Sequence, residues 1–165
     1  LGYESETQVE RICAEIKDEV VVPANYNAPG QLVISGNIKG IDIATEKLKA
    51  AGVKRVLKLP VGGAFHSPLM APAKSELAKA IETTNFNNAA CAVYQNVSAK
   101  PETNAAVIKQ NLVEQLTAPV LWVHTIRQMI NDGATEFIEI GPGNVLSGLV
   151  KKISPDAHVQ NPENI

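Results

Sequence analysis

Between Val9 and Leu59 the spacing of apolar residues switches between helical and extended periods in an order that few small folds accept: helix, strand, strand, helix, strand. Val9, Ile12, Cys13 and Ile16 recur at helical spacing and predict about three turns with one buried face, after a possible cap at Ser5. Val20 to Ala24 is a β-branched run. Asn25-Tyr26-Asn27-Ala28-Pro29-Gly30 has the chemistry of a turn, and Gln31 to Ser35 reads as a second strand, so residues 20–35 are expected to form a hairpin. Ile41, Ala44 and Leu48 mark a helix ending at Ala51, where Gly52 suits a left-handed cap, and Val53 to Leu59 follows as a strand.

One more strand ahead of Leu1 would complete a β-α-β-β-α-β unit, so residues 1–57 are expected to be a small ferredoxin-like subdomain lacking its first strand. Leu1-Gly2-Tyr3 has no initiator methionine and reads as a strand end entering a helix, the expectation for a segment of a longer protein. From residue 58 to 153, longer helices alternate with single strands, which indicates a mostly parallel α/β sheet. Helices are expected from Ser67 to Ile81, around Ile108 to Leu116, from Trp122 to Ile130, and over Val145 to Val150. Strands are expected at Ala92 to Val97 and Glu136 to Ile140. The tail, 154–165, has no period and is read as loose.

Composition narrows the function. Charged residues make up 19% and the formal charge is −2, which argues against a nucleic-acid protein held by phosphate contacts. No apolar run approaches membrane-spanning length and no signal peptide opens the chain, so the cytoplasm is the expected compartment. Cys13 and Cys91 have no metal or redox spacing and read as small core hydrophobes. The basic pairs Lys54-Arg55 and Lys151-Lys152 have two readings: ordinary solvated side chains, or parts of a patch for an acidic partner.

The stretch Leu59-Pro60-Val61-Gly62-Gly63-Ala64-Phe65-His66-Ser67-Pro68 delivers a histidine immediately before a helix start, with Ser67 suited to the N-cap and Pro68 to the first helical position. A histidine there can be a packed residue or a general base for a serine or cysteine. No G-x-S-x-G elbow exists in the sequence, and Ser35, Ser67, Ser98 and Ser147 lack that setting. His66, His124 and His158 have no paired-ligand spacing, so no metal is expected. Gly141-Pro142-Gly143, between a strand and a helix, is either a tight turn or a cradle for an anion.

Three blocks in register, Asn25-Tyr26-Asn27-Ala28-Pro29-Gly30-Gln31-Leu32-Val33-Ile34-Ser35-Gly36, Gly63-Ala64-Phe65-His66-Ser67-Pro68-Leu69-Met70 and Glu139-Ile140-Gly141-Pro142-Gly143-Asn144-Val145-Leu146, resemble the C-terminal half of the malonyl-CoA:acyl carrier protein transacylases. The resemblance implies an α/β-hydrolase-like fold with the ferredoxin-like insertion, and ping-pong transfer of malonyl from CoA to the phosphopantetheine thiol of acyl carrier protein in fatty acid biosynthesis. It implies that His66 is catalytic, oriented by the main-chain carbonyl of Gln115, with a serine in a G-H-S-x-G elbow upstream of this chain. Asn27 matches a cleft position, though it also suits a turn. Phe65 is similar to what malonyl-selective relatives carry and would narrow the acyl pocket. Lys54, Arg55, Lys151 and Lys152 match basic positions of a carrier-protein docking surface. No cofactor is implied beyond the two thioester substrates, and a monomer is expected at full length. The competing classes are a non-catalytic carrier-protein-binding module and a serine hydrolase of acyl thioesters.

Overall fold

The computed structural model describes residues 6–162, so the cap at Ser5 and the strand end at Leu1-Gly2-Tyr3 lie outside the described residues. Helix α1 (Glu6–Glu15) leads into a hairpin of β1 (Val21–Ala28) and β2 (Gln31–Gly36), followed by α2 (Ile38–Ala50). Val9, Ile12 and Cys13 of α1, Leu32 of β2, and Ala44 and Leu48 of α2 form one buried cluster, as their helical and alternating spacing requires. Asn37 caps α2 by accepting from the Gly40 amide, and Gly52, at φ +83°, ends it.

The hairpin is tighter than its sequence indicates. Asn25 to Ala28 continue β1 because Ala24, Tyr26 and Ala28 are buried, and only Pro29-Gly30 turns, with Gly30 at φ +73°. A register shift between Pro23 and Asn25 keeps the chain paired there despite the missing proline donor. At the exit of β2, a Cβ on Gly36 would sit 2.0 Å from the Val20 carbonyl oxygen, so that crossing admits only glycine.

Val53 to Leu59 does not form the expected strand; it is reduced to an isolated bridge at Arg55. Val53 and Val56 of this segment pack on the hairpin's cluster, but Leu57 and Leu59 are 60% and 53% exposed. The second stretch of the chain has α3 (Ala71–Glu82), β3 (Val93–Tyr94), β4 (Pro101–Glu102), α4 (Ala105–Glu114), α5 (Trp122–Asn131), β5 (Glu136–Ile138), α6 (Val145–Ile153) and β6 (His158–Gln160). The strand expected over Ala92 to Val97 is a two-residue piece paired antiparallel with β4, because the chain turns back through Gln95 to Ala99, the last at φ +52°.

Among the described residues the strands form three separate two-stranded sheets, not one mostly parallel sheet. Only β5 with β6 is a parallel pair, and Asn25 makes one parallel bridge with Val120. β1 with β2 and β3 with β4 are antiparallel pairs. The tail contributes β6 and is not simply loose: Glu136, Phe137 and Ile138 pair with His158, Val159 and Gln160.

The core crosses the boundary expected near residue 57. Tyr26 donates its amide to Val120 and Val120 donates back to Ala24, at 2.9 and 2.8 Å. Val123 of α5 joins the hairpin's cluster, and Ile153 of α6 packs against both it and a second cluster around Ile126, Val150 and Ala157. Trp122 is half-buried against that second cluster. Cys13 is buried, and desolvation pushes its thiol up to about 11, whereas Cys91 is exposed and is no core residue. Among the described residues no helix is long and apolar enough to cross a membrane.

Candidate active site

The histidine corner is built from backbone up. Ser67 caps a short 3₁₀ turn over Pro68–Met70 that runs into α3, accepting from the Leu69 amide as its position before proline suggests. Neither Gly62 nor Gly63 has a positive φ. The residue in the left-handed region is His66 itself, at φ +58°. Gly63 serves a different purpose: a Cβ there would meet the Phe65 ring at 3.3 Å.

The left-handed backbone aims the imidazole at the end of α4. His66 Nδ1 lies 2.9 Å from the Gln115 carbonyl oxygen and 3.1 Å from that of Ala118. Carbonyls only accept, so Nδ1 carries the proton and donates to both, which leaves Nε2 as the lone-pair nitrogen of the neutral ring. The Gln115 oxygen is available because a helix leaves its last carbonyls unpaired, and the Ala118 oxygen lies in the loop beyond the helix end. Gln115 is the C-cap of α4, and the turn beyond it is closed by the Thr117 and Ala118 amides, which both donate to Glu114. Lys74 of α3 pairs with Glu114 at 2.6 Å, tying the helix that follows His66 to the helix end that holds its ring. The Gln115 side chain takes a long bond from Asn96, 3.4 Å, away from this contact.

Beside the corner is a groove of about 1280 Å³ between the hairpin with α2 and the segment that replaces the expected strand. Asn27 and Ile34 from the hairpin and Leu57, Val61 and Phe65 from the following segment all line it; Phe65 is 54% exposed. Arg55 and Lys152 also line it, and Lys152 donates to Gln31 across the groove's edge. Lys54 and Lys151 do not line this groove: Lys54 is exposed, and Lys151 borders a smaller hollow at α6, where it donates to the Pro155 carbonyl. The four basic residues thus do not share one surface: Arg55 and Lys152 line the groove, Lys151 borders the hollow, and Lys54 lines neither.

Gly141-Pro142-Gly143 is a tight turn, with Gly141 and Gly143 at φ +140° and +84°. The anion at the start of α6 is intramolecular. Glu139 accepts from the Leu146 and Ser147 amides at 3.0 and 2.8 Å and from the Ser147 hydroxyl at 2.6 Å. Those bonds hold its carboxyl below the usual range, the Ser147 hydroxyl contributing most. Sequence reading missed Glu139 and the second carbonyl at Ala118. The first was legible as an acid preceding a glycine turn and a helix; the second depends on a fold in tertiary space.

Among the described residues no cluster of His, Cys, Asp or Glu is arranged to hold a metal ion.

The family described as "Acyl transferase domain" matches residues 2–161. The chain is 43% identical over 170 residues to the malonyl CoA-acyl carrier protein transacylase of Bacillus subtilis (strain 168), covering 100% of this chain and 53% of the relative. Its fold superposes with a TM-score of 0.93 and 39% identity on an acyl carrier protein S-malonyltransferase of Vibrio cholerae O1, covering 96% of this chain and 52% of that one. A malonyl-transacylase solved in complex with its type II PKS acyl-carrier protein aligns at 0.89 and 37% identity, over 96% and 51%. The chain therefore spans about half the length of the curated relatives it matches. A carbonyl-held histidine on a mixed α/β frame, with matching sequence across nearly the whole chain, places it in the acyl transferase domain family.

Proposed function

We propose that this chain supplies the histidine half of a malonyl-CoA:acyl carrier protein S-malonyltransferase serving fatty acid biosynthesis. The observation that carries the reading is the double carbonyl hold on His66 Nδ1, which leaves Nε2 free to accept a proton. The nucleophile is a serine in a G-H-S-x-G elbow outside these 165 residues, which contain no such elbow. Nε2 takes the serine proton as the oxygen attacks the malonyl thioester, then returns a proton to the departing CoA thiolate. The cycle repeats in reverse with the phosphopantetheine thiol, and backbone amides of the nucleophile's own half hold the oxyanion. Positive charge forming on the ring faces two carbonyl oxygens, which take the place of the acid in a three-residue relay. No cofactor takes part.

Phe65 and Asn27, which both line the groove, shape the acyl site. The exposed phenyl ring disfavours an α-methyl branch, with discrimination of about 1–3 kcal/mol for one methyl. Arg55 and Lys152 on the groove, with Lys54 and Lys151 beside them in sequence, attract the acidic carrier protein. We place the enzyme in the cytoplasm as a monomer, with residues 1–57 and 58–153 in its smaller and larger subdomains.

The test joins this chain to an upstream segment carrying the serine and measures its malonylation by mass. His66→Ala is expected to slow acylation by about 10²–10⁴-fold. Near-wild-type acylation would remove His66 from the mechanism, and normal transfer by the 165 residues alone would remove the upstream serine.

A further inference from the structure

Ser67 does more than a helix cap requires. A cap serine needs only to accept from an amide one turn ahead, and it usually does so at the surface. Ser67 is fully buried, and its hydroxyl also donates to the Ala64 carbonyl at 2.6 Å while accepting from Leu69 at 3.3 Å. The two bonds close the backbone on either side of His66, whose φ of +58° is one of two non-glycine left-handed values among the described residues. Such a conformation persists only where its surroundings over-determine it. On the ring side the carbonyls of Gln115 and Ala118 hold Nδ1; on the backbone side the link from Ala64 to Ser67 spans the turn.

We propose that Ser67 is a positioning residue: its hydroxyl locks the left-handed turn at His66 and thereby sets which imidazole nitrogen carries the proton. Removal of the hydroxyl leaves the Ala64 carbonyl and the Leu69 amide without a buried partner. The turn then relaxes toward ordinary right-handed backbone, and the ring swings off the end of α4. Nδ1 loses its acceptors, so the two neutral tautomers mix and Nε2 is no longer reserved as the acceptor. The catalytic consequence rests on the reading of His66 as the base; the geometric claim does not.

The experiment uses the chain labelled with ¹⁵N at histidine. Long-range proton–nitrogen correlation, at a pH where the ring is neutral, reads the His66 tautomer in the wild type, Ser67→Ala, Ser67→Thr and Thr125→Ala, with thermal unfolding measured in parallel. Thr125 is the matched control, a buried hydroxyl that donates to the carbonyl of Leu121 at the N-cap of its own helix. The Nδ1–H form is expected to dominate in the wild type and Thr125→Ala, to be lost in Ser67→Ala, and to be kept in Ser67→Thr, which retains the hydroxyl. A folded Ser67→Ala that keeps the Nδ1–H form overturns the proposal, as does its equal loss in Thr125→Ala. Should Ser67→Ala not fold, Ser67→Cys, nearly isosteric but a weak donor, must show partial loss, and an unchanged tautomer refutes the idea. Failure of the acylation test with these results intact would reject the catalytic reading while leaving the positioning role in place.

Discussion

Replacing His66 by glycine should leave a more stable protein than replacing it by alanine, the reverse of the usual order. At φ +58° a residue with a Cβ bears a left-handed cost of about 1–2 kcal/mol. Glycine escapes it but loses more chain entropy on folding, about 0.5–1 kcal/mol relative to alanine. The difference leaves His66→Gly ahead of His66→Ala by about 0.5–1 kcal/mol. Both variants lose the Nδ1 bonds to Gln115 and Ala118, a loss of about 1 kcal/mol relative to the wild type, so alanine should be the least stable of the three. Urea unfolding followed by far-UV circular dichroism measures this directly, provided the slopes of the three transitions agree. An alanine variant as stable as the glycine variant, or more so, would show that residue 66 is not left-handed in solution, and the account of how the ring is aimed would fall with it.

Gln115→Ala should change stability by less than about 1 kcal/mol and leave acylation by the completed enzyme nearly intact, since His66 contacts only the main-chain oxygen and the side chain makes one long bond; a large loss of rate would assign the side chain a role. Glu139 has its carboxyl held below an ordinary 4.5 by bonds to Ser147 and Leu146, so it stabilises the fold fully above that value and less as pH falls through the depressed one. The stability gap between wild type and Glu139→Gln, measured by thermal melts across pH, should therefore be widest at neutral pH and close under acid; a gap independent of pH would refute the capping role. Arg55→Glu with Lys152→Glu should weaken carrier-protein binding in a salt-dependent way while leaving the melting temperature nearly unchanged, because both side chains are at the surface of the groove; titration calorimetry at two salt concentrations distinguishes this from a general loss of fold.

What the sequence determined by itself is local or already contiguous. The faces of α1, α2 and α5 follow from apolar spacing, because a helix must bury the stripe that its 3.6-residue period creates. Ser67 before Pro68 announces a chain reversal into a helix, and the three matching blocks carry the family. Tertiary structure decided the rest, wherever a group's partner is distant in sequence. Asn27 reads as a turn residue until Tyr26 pairs with Val120 and draws it into β1. Val53 to Leu59 has the composition of a strand, yet a strand exists only through its neighbour; Val53 packs in the hairpin's core, and Arg55 to Leu59 border the groove instead. The bonds that define the site run from residue 66 to residues 115 and 118. Nothing near His66 in the chain indicates which oxygens will receive its proton, since backbone carbonyls have no residue signature and these two meet the ring only through the fold.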